Sequence, residues 1–340
     1  MTKKTATTGY KPGAGLDIGT MNIVAARRDD NGKVGSVRIR DAFIDLDMDA
    51  KRSLKLSKVD YIEKDGALIV IGDSALTMAN LFKRDARRPL SRGVISAGEI
   101  DAQEVLSLLV GTVLESPVIP KEHCFYSVPA MPIDDASQDV IYHTEVFRKI
   151  LTEQGYEAHP INEAMAVIFS QCAENNFSGL SVSFGAGMVN VALSYQANSA
   201  MNFSVARGGD WIDTHAAKAT GKTPSQMCAI KEKGFDLRKP TTREQQALVF
   251  YVLNLIDYAL QNIAAQFKKV RNDVTLPEPV PFVISGGTSK AEGFLDIFKE
   301  RFESVRKGFP IEISEVRQAT DPMTAVAEGL LVLAMEEHEG

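Results

Sequence analysis

A chain of 340 residues has room for two domains or one large bilobed body, and it can bury a sizeable core without disulfides. Its 44% apolar and 24% charged residues are those of an ordinary globular protein, and a formal net charge of −6 argues against nucleic-acid binding by the general surface. Cys124, Cys172 and Cys228 lie far apart, which suits a reducing cytoplasm and leaves no paired-cysteine metal motif. The five histidines form no His-x-x-x-His helix face, so no structural zinc is expected.

Residues 1–12 read as a short disordered leader, polar and without the apolar centre of a signal peptide or the pattern of an amphipathic anchor. No apolar run reaches the length of a membrane span. The first glycine turn follows. Gly15-Leu16-Asp17-Ile18-Gly19-Thr20 runs into Met21-Asn22-Ile23-Val24-Ala25-Ala26, two β-rich segments around a tight turn that carries a carboxylate and a hydroxyl. Such a turn can wrap a phosphate tail with backbone N–H groups while Asp17 holds a metal-bound water. A plain hairpin has the same signature. Asp29-Asp30-Asn31-Gly32 and Lys64-Asp65-Gly66 are further hairpin turns, and Leu68–Ile71 is a buried strand. A helix is expected over Ser74–Phe82, then an exposed basic loop over Lys83–Pro89, then a helix over Glu99–Leu114.

His123–Val128 reads as a buried strand, Ile133–Gln154 as an amphipathic helix stopped by Gly155, and Glu163–Asn175 as another helix. Leu180–Phe184 is a strand that enters a second glycine turn, Ser183-Phe184-Gly185-Ala186-Gly187-Met188-Val189-Asn190, with Met188–Gln196 as the returning strand. The strand–turn–strand layout thus occurs twice, which points to an internal duplication and to mixed sheets covered by helices. Gly221-Lys222-Thr223 fails as a P-loop, because the glycine that motif requires is Ala216 and no buried strand precedes it; Thr223-Pro224 starts a helix instead. Arg243–Val270 is a long amphipathic helix. Phe282-Val283-Ile284 opens onto a third turn, Ser285-Gly286-Gly287-Thr288-Ser289, before a helix over Ala291–Phe302. That turn can seat a phosphate or an adenine, or simply cap the helix. Glu163, at a helix start, either complements the macrodipole or acts as a base that positions water.

Taken together these segments resemble the actin superfamily. The first turn is similar to its first phosphate loop, the second turn to its second, and the third to its adenosine loop. Glu163 falls on the first connecting helix, and Asp321-Pro322-Met323-Thr324-Ala325-Val326-Ala327-Glu328-Gly329 resembles the second. Within the superfamily the likeness is greatest to bacterial actins of the MreB and MamK kind, through Gly72-Asp73-Ser74-Ala75, Arg88–Ile95 and Gly208-Gly209-Asp210-Trp211-Ile212-Asp213.

The resemblance implies an α/β, two-lobed actin-like ATPase fold, each lobe a mixed sheet flanked by helices with a smaller inserted subdomain. Lobe I would span 13–172, with a small subdomain at about 40–95, and be completed by 322–340. Lobe II would span 173–321, with a small subdomain at about 211–258. ATP and Mg²⁺ would sit in the cleft. Gly15, Asp17, Gly19, Thr20, Met21 and Asn22 would form the first loop, with Asp17 on the hydrated metal and the Gly19 and Thr20 amides on the β-phosphate. Ser183, Gly185, Ala186, Gly187 and Met188 would lie at the γ-phosphate. Gly209, Asp210, Lys231, Glu232, Gly286, Gly287 and Thr288 would complete the cradle, and Glu163 with Asp17 would be catalytic.

The family opens its second loop with Asp and follows the glycines with Thr; here stand Ser183 and Met188. Loss of one charge-assisted contact in the transition state costs roughly 2.7–4 kcal/mol, about a hundred- to thousand-fold in rate. ATP binding survives on this reading and hydrolysis is slowed. The implied function is a cytoplasmic cytoskeletal protein that polymerises with itself, with adaptor or membrane-linked proteins as further partners and no nucleic acid. The alternative is a degenerate actin-like scaffold that recruits protein partners. A small-molecule kinase is disfavoured, since no extra acidic substrate segment is present.

Overall fold

The computed structural model describes residues 12–59, 61–99, 101–269 and 276–338; residues 1–11 of the expected leader lie outside them. In chain order the first half holds β1 (Ala14–Ile18), β2 (Asn22–Arg28), β3 (Val34–Arg40), β4 (Phe43–Asp47), α1 (Lys51–Leu56), β5 (Ile62–Lys64), β6 (Ala67–Ile71) and α2 (Gly72–Phe82). It continues with β7 (Leu90–Ser91), β8 (Val94–Ile95), α3 (Ala102–Val113), β9 (His123–Val128), α4 (Val140–Glu153), β10 (Glu157–Asn162) and α5 (Glu163–Gln171). The second half holds β11 (Gly179–Phe184), β12 (Val189–Tyr195), β13 (Asn198–Val205), α6 (Gly209–Thr220), α7 (Pro224–Lys233) and α8 (Arg243–Lys269). It ends with β14 (Val280–Ser285), α9 (Phe294–Val305), β15 (Ile313–Gln318) and α10 (Ala325–Glu337).

Two five-stranded sheets organise the molecule, ordered β10-β9-β1-β2-β3 and β13-β12-β11-β14-β15. Each has an antiparallel meander on one side and parallel strands on the other. β1 occupies in the first the place that β11 occupies in the second, so the duplication expected from the sequence is a duplication of topology. The parallel strands need helical crossovers, which is why helices cover both faces and the central strands are buried almost throughout. α3 and α4 cover one face of the first sheet through Val105, Leu109, Phe147 and Leu151. α5 and α10 pack between the sheets through Ala164, Ile168, Val326 and Leu330.

β4, β6 and β5 form a separate small sheet whose core (Ile44, Leu46, Leu54, Leu68, Val70, Met78) is distinct from that of the large sheet. The region of α6, α7 and α8 has no such separate core: Ile212, Met227 and Leu248 share one continuous cluster with Val182, Phe184 and Phe282. α8 is long and apolar enough, by length and composition, to cross a membrane, and it is the one such helix among the described residues. The expectation that no segment reaches that length is corrected here. Its apolar side chains nevertheless form a stripe, Leu248-Val252-Leu255-Ile256-Ala259-Ile263-Phe267, which packs into the core of the second sheet.

Helix starts differ from expectation at α2, which begins at Gly72 rather than Ser74, and at α3, which begins at Ala102 rather than Glu99, as well as at α4 and α9. α4 begins at Val140 rather than Ile133. Asp135 accepts hydrogen bonds from the Ser137 N–H and from the Ser137 and Gln138 side chains, a local turn that competes with helix. The Ile133 N–H is committed to the Ser204 carbonyl of the second sheet. α9 begins at Phe294, because Gly293 takes a left-handed backbone with φ of 82°. Thr223 does start α7, with a reciprocal cap between its hydroxyl and Gln226 and with Pro224 in the first turn.

Candidate nucleotide cleft

The three glycine turns occupy corresponding strand ends and face one cavity of about 820 Å³ between the sheets. That volume lies within the usual range for a small-molecule site. Asp17, Gly19, Thr20, Met21, Asn22, Glu163, Ser183, Gly185, Ala186, Gly187, Met188, Gly209, Lys231, Glu232, Gly286, Gly287 and Thr288 all line it. Gly15 and Asp210 do not. Gly15 is a packing glycine: a Cβ there would stand 2.1 Å from the Ala327 carbonyl oxygen of α10. The Asp210 carboxylate instead pairs with Arg88 at 3.0 Å.

The turns touch one another. A Cβ on Gly187 would stand 2.4 Å from Thr20 Oγ1 and 2.3 Å from the Gly93 nitrogen, so the second turn meets the first and the β7–β8 hairpin with no room for a side chain. The Gly93 N–H donates to Thr20 Oγ1 at 3.0 Å. Gly286 takes φ of 88°, and a Cβ there would overlap the Phe184 backbone at 2.5 Å. Thr288 Oγ1 donates to the Gly185 carbonyl at 3.3 Å, tying the third turn to the second. Backbone thus forms the cavity wall at all three turns.

The amides divide into used and open ones. The Gly19 N–H closes its own turn on the Asn22 carbonyl, the Gly185 N–H does the same on Met188, and the Gly286 N–H donates to Pro322. The Gly19 amide is therefore engaged within the turn rather than offered to a phosphate. The amides of Thr20, Met21, Ala186 and Gly187 have no acceptor among the described residues. These turn-tip donors fit an anion.

Two carboxylates stand at the base. Asn162 caps α5 by accepting from the Ala164 and Met165 N–H groups at 3.0 and 3.2 Å, which sets Glu163 at the first helical position. Glu163 Oε1 accepts from Ser183 Oγ at 2.6 Å, and Oε2 from Asn190 Nδ2 at 2.8 Å. Asp17 Oδ1 accepts from Ser127 Oγ at 2.9 Å, and Ser127 Oγ in turn accepts from the Ile18 N–H at 2.7 Å. Burial raises the Asp17 carboxyl to about 7. Burial, and then the charge of Asp17, raise Glu163 to about 8. Two buried carboxylates close enough to repel, beside open amides and a cavity walled by backbone, fit a hydrated divalent cation carrying an anionic ligand.

Further from the base, the expected nucleoside contacts are held by protein partners. Lys231 Nζ pairs with Asp213 at 2.7 Å and donates to the Gly209 carbonyl at 3.0 Å. Glu232 takes a two-pronged contact from Arg40 at 2.7 and 3.2 Å, across the cavity mouth. Of the basic segment expected to be a solvated loop, Lys83 and Arg84 are exposed whereas Arg87 and Arg88 are paired. Arg88 reaches Asp210, while Arg87 contacts Asp45 and Glu99 and stacks 4.3 Å from the centre of the Phe43 ring. Met188 turns its side chain inward, where it is buried, accepts from Ser204 Oγ at 3.5 Å and lies under the Gly93 turn.

Ser127, Asn190 and Arg88 contact the expected site residues, and none of the three was singled out as a site residue from the sequence. Ser127 sits at the end of β9 next to β1, so only strand pairing brings it to Asp17. Asn190 is the second residue of β12, directly across from Ser183 in the β11–β12 register. The alternation of the strand puts both on the Glu163 side, which is the one signal that could have found it.

Comparison with solved structures gives the same architecture. The MamK double helical filament superposes with a TM-score of 0.67 at 18% identity, covering 95% of this chain and 98% of that one. MreB 5 of Spiroplasma citri bound to AMPPNP gives 0.65 at 16%, covering 97% of each chain. The ethanolamine utilization protein EutJ from Carboxydothermus hydrogenoformans gives 0.56 at 16%, over 95% and 89%. No curated protein sequence matches significantly. At these identities the likeness establishes the fold, a two-lobed actin-type α/β architecture. A sequence model of one family spans residues 13–334, from the strand before the first turn to the last helix, and the chain belongs to the Volactin family.

Proposed function

We propose that this chain is a cytoplasmic cytoskeletal protein that binds ATP with Mg²⁺ in the interlobe cleft and polymerises head to tail. The observation that carries the reading is the convergence of three backbone turns, with Asp17 and Glu163 beneath them, on one cavity. Two similar structures lend support in their own terms: a MamK double helical filament and an AMPPNP-bound MreB 5. The Thr20, Met21, Ala186 and Gly187 amides would hold the phosphates. Asp17 would hold the metal's water shell, and the Mg²⁺ would supply neutralisation of phosphate charge. Glu163, oriented by Ser183 and Asn190, would position a water. Gly286, Gly287 and Thr288 would flank the nucleoside, with Lys231 and Glu232 at the mouth. Lobe I is taken as 13–172 with 322–340, and lobe II as 173–321. A contact that repeats without closing a ring gives a filament. Adaptor or membrane-linked partners would then use the filament surface, with no role for nucleic acid.

Sedimentation and light scattering with Mg-ATP, with Mg-ADP and without nucleotide test this. Polymer that depends on nucleotide is expected. Protein that stays monomeric at high concentration in all three conditions overturns it.

A second reading is favoured by one specific contact. Ser183 donates a neutral hydrogen bond to Glu163 at a position where a carboxylate would aid hydrolysis. The chain would then be a scaffold that binds ATP without turning it over. Phosphate release separates the two readings. On the polymerising reading Ser183→Asp raises the rate toward the hundred- to thousand-fold expected of one recovered contact. An unchanged near-zero rate favours the scaffold.

A further inference from the structure

We propose that His123, Glu157 and His159 form a binding site for a divalent transition-metal ion of the Zn²⁺ type, at the end of the first sheet opposite the cleft. None of the cleft chemistry uses these residues. Their ligand atoms all lie within 4.8 Å of one another. The strand register creates the group. β9 and β10 are parallel neighbours that set His123 directly beside Glu157. Glu157 and His159, two residues apart on β10, share one face. Ser127, beside the cleft carboxylate Asp17, lies four positions beyond His123 on β9, about 13 Å along the strand at the usual rise.

The two imidazole nitrogens stand close to the separation that a shared ion requires. His123 Nδ1 and His159 Nε2 stand 2.9 Å apart. Two nitrogens on a tetrahedral Zn²⁺ at about 2.0–2.1 Å are separated by roughly 3.3 Å, so the rings need to part by only a few tenths of an ångström. A hydrogen bond between imidazole nitrogens also requires a bare lone pair on one of them, the form that binds metal. Glu157 Oε1 lies 3.9 Å from His159 Nε2 and brings a negative charge to the group.

The surroundings hold the rings in place. His159 stacks on Phe125 with ring centres 4.7 Å apart and planes 22° from parallel. His338, at the end of α10, accepts the His123 backbone N–H on Nε2 at 3.1 Å and sets its ring 4.3 Å from that of His123. Two nitrogens and one carboxylate leave a position for water. Imidazole with a carboxylate suits Zn²⁺ or its neighbours Co²⁺, Ni²⁺ and Cu²⁺ rather than Mg²⁺ or Ca²⁺. The same group without a metal would be a hydrogen-bonded histidine pair that only packs, and the experiment distinguishes the two.

The full-length chain is dialysed against Zn²⁺ with Mg²⁺ in excess, and Co²⁺ uptake is followed by visible absorption. The wild type is expected to take up one Zn²⁺ outside the cleft and to give the strong ligand-field bands of low-coordinate Co²⁺. His159→Ala and Glu157→Gln should lose that affinity by more than the roughly 10–100-fold that loss of an outer-shell partner costs. Glu157 is exposed, so its variant folds whether or not the histidine change is tolerated. Absence of Zn²⁺ uptake by the wild type overturns the proposal, and so does unaltered affinity in Glu157→Gln and His159→Ala.

Discussion

Asp17 and Glu163 hold the charge balance of the cleft. Burial raises both carboxyls, so over the range from about pH 4 to about pH 8 the folded chain binds more protons than the unfolded one. Stability then falls as pH rises through that window, by up to about 1.4 kcal/mol per pH unit for each proton so held. Glu163→Gln removes one charge and should flatten this slope; the Ser183 hydroxyl can rotate to accept from the new amide. Urea midpoints of the wild type and the variant, measured across that window, check it. A variant whose slope equals that of the wild type would show that Glu163 is not the group responsible. Mg²⁺ should produce a similar flattening, because a bound cation removes the repulsion between the two carboxylates.

Helices α5 and α10 join the two sheets, and their contact admits no extra atom. A Cβ on Gly329 would stand 1.8 Å from the Ala166 carbonyl oxygen, and one on Gly15 would meet α10 from the strand side. Both collisions are with backbone, which no side-chain rotation relieves. Gly329→Ala should therefore push α10 away from α5 and lower stability by about 1–3 kcal/mol or more, despite the better helix propensity of alanine. Thermal unfolding measures this. A melting temperature at or above that of the wild type would contradict the packing described. Because Glu163 begins α5, the same variant should also weaken nucleotide binding, as judged by a fluorescent ATP analogue.

Among the described residues, two charge pairs bridge the halves of the molecule at the cleft, Arg40 with Glu232 at 2.7 Å and Arg88 with Asp210 at 3.0 Å. Each is partly exposed and so worth at most about 1 kcal/mol after solvent screening. Together they contribute up to roughly thirtyfold to any equilibrium in which the two halves separate. Arg40→Ala combined with Arg88→Ala should enlarge the radius of gyration in small-angle scattering without nucleotide, and Mg-ATP should restore it. An unchanged radius in the double variant would show that other contacts hold the two halves together. The Asp134 carboxylate, bonded to the Tyr258 hydroxyl at 2.8 Å and to the Ala206 N–H at 2.8 Å, is the first to consider.

The sequence by itself determined the repeated strand–turn–strand order, the three glycine turns, the capped start of α7 and the carboxylates Asp17 and Glu163. These are local properties: a turn needs its glycine, a cap its hydroxyl, a buried strand its apolar run. It misplaced the start of α4, since apolar spacing over Ile133–Val140 resembles a helix until Asp135 and Ser204 claim the backbone. Only the tertiary structure decided which residues stand across from one another. Ser127 reaches Asp17, Asn190 reaches Glu163 and Arg88 reaches Asp210 through strand pairing or across the cleft, between positions far apart in the chain. The histidines have no helical spacing in the chain, yet His123 and His159 meet across two parallel strands. The physical reason is the same throughout: short-range conformational preference is written in neighbouring residues, whereas charge pairing and ligand geometry depend on register between segments that the chain must fold to align.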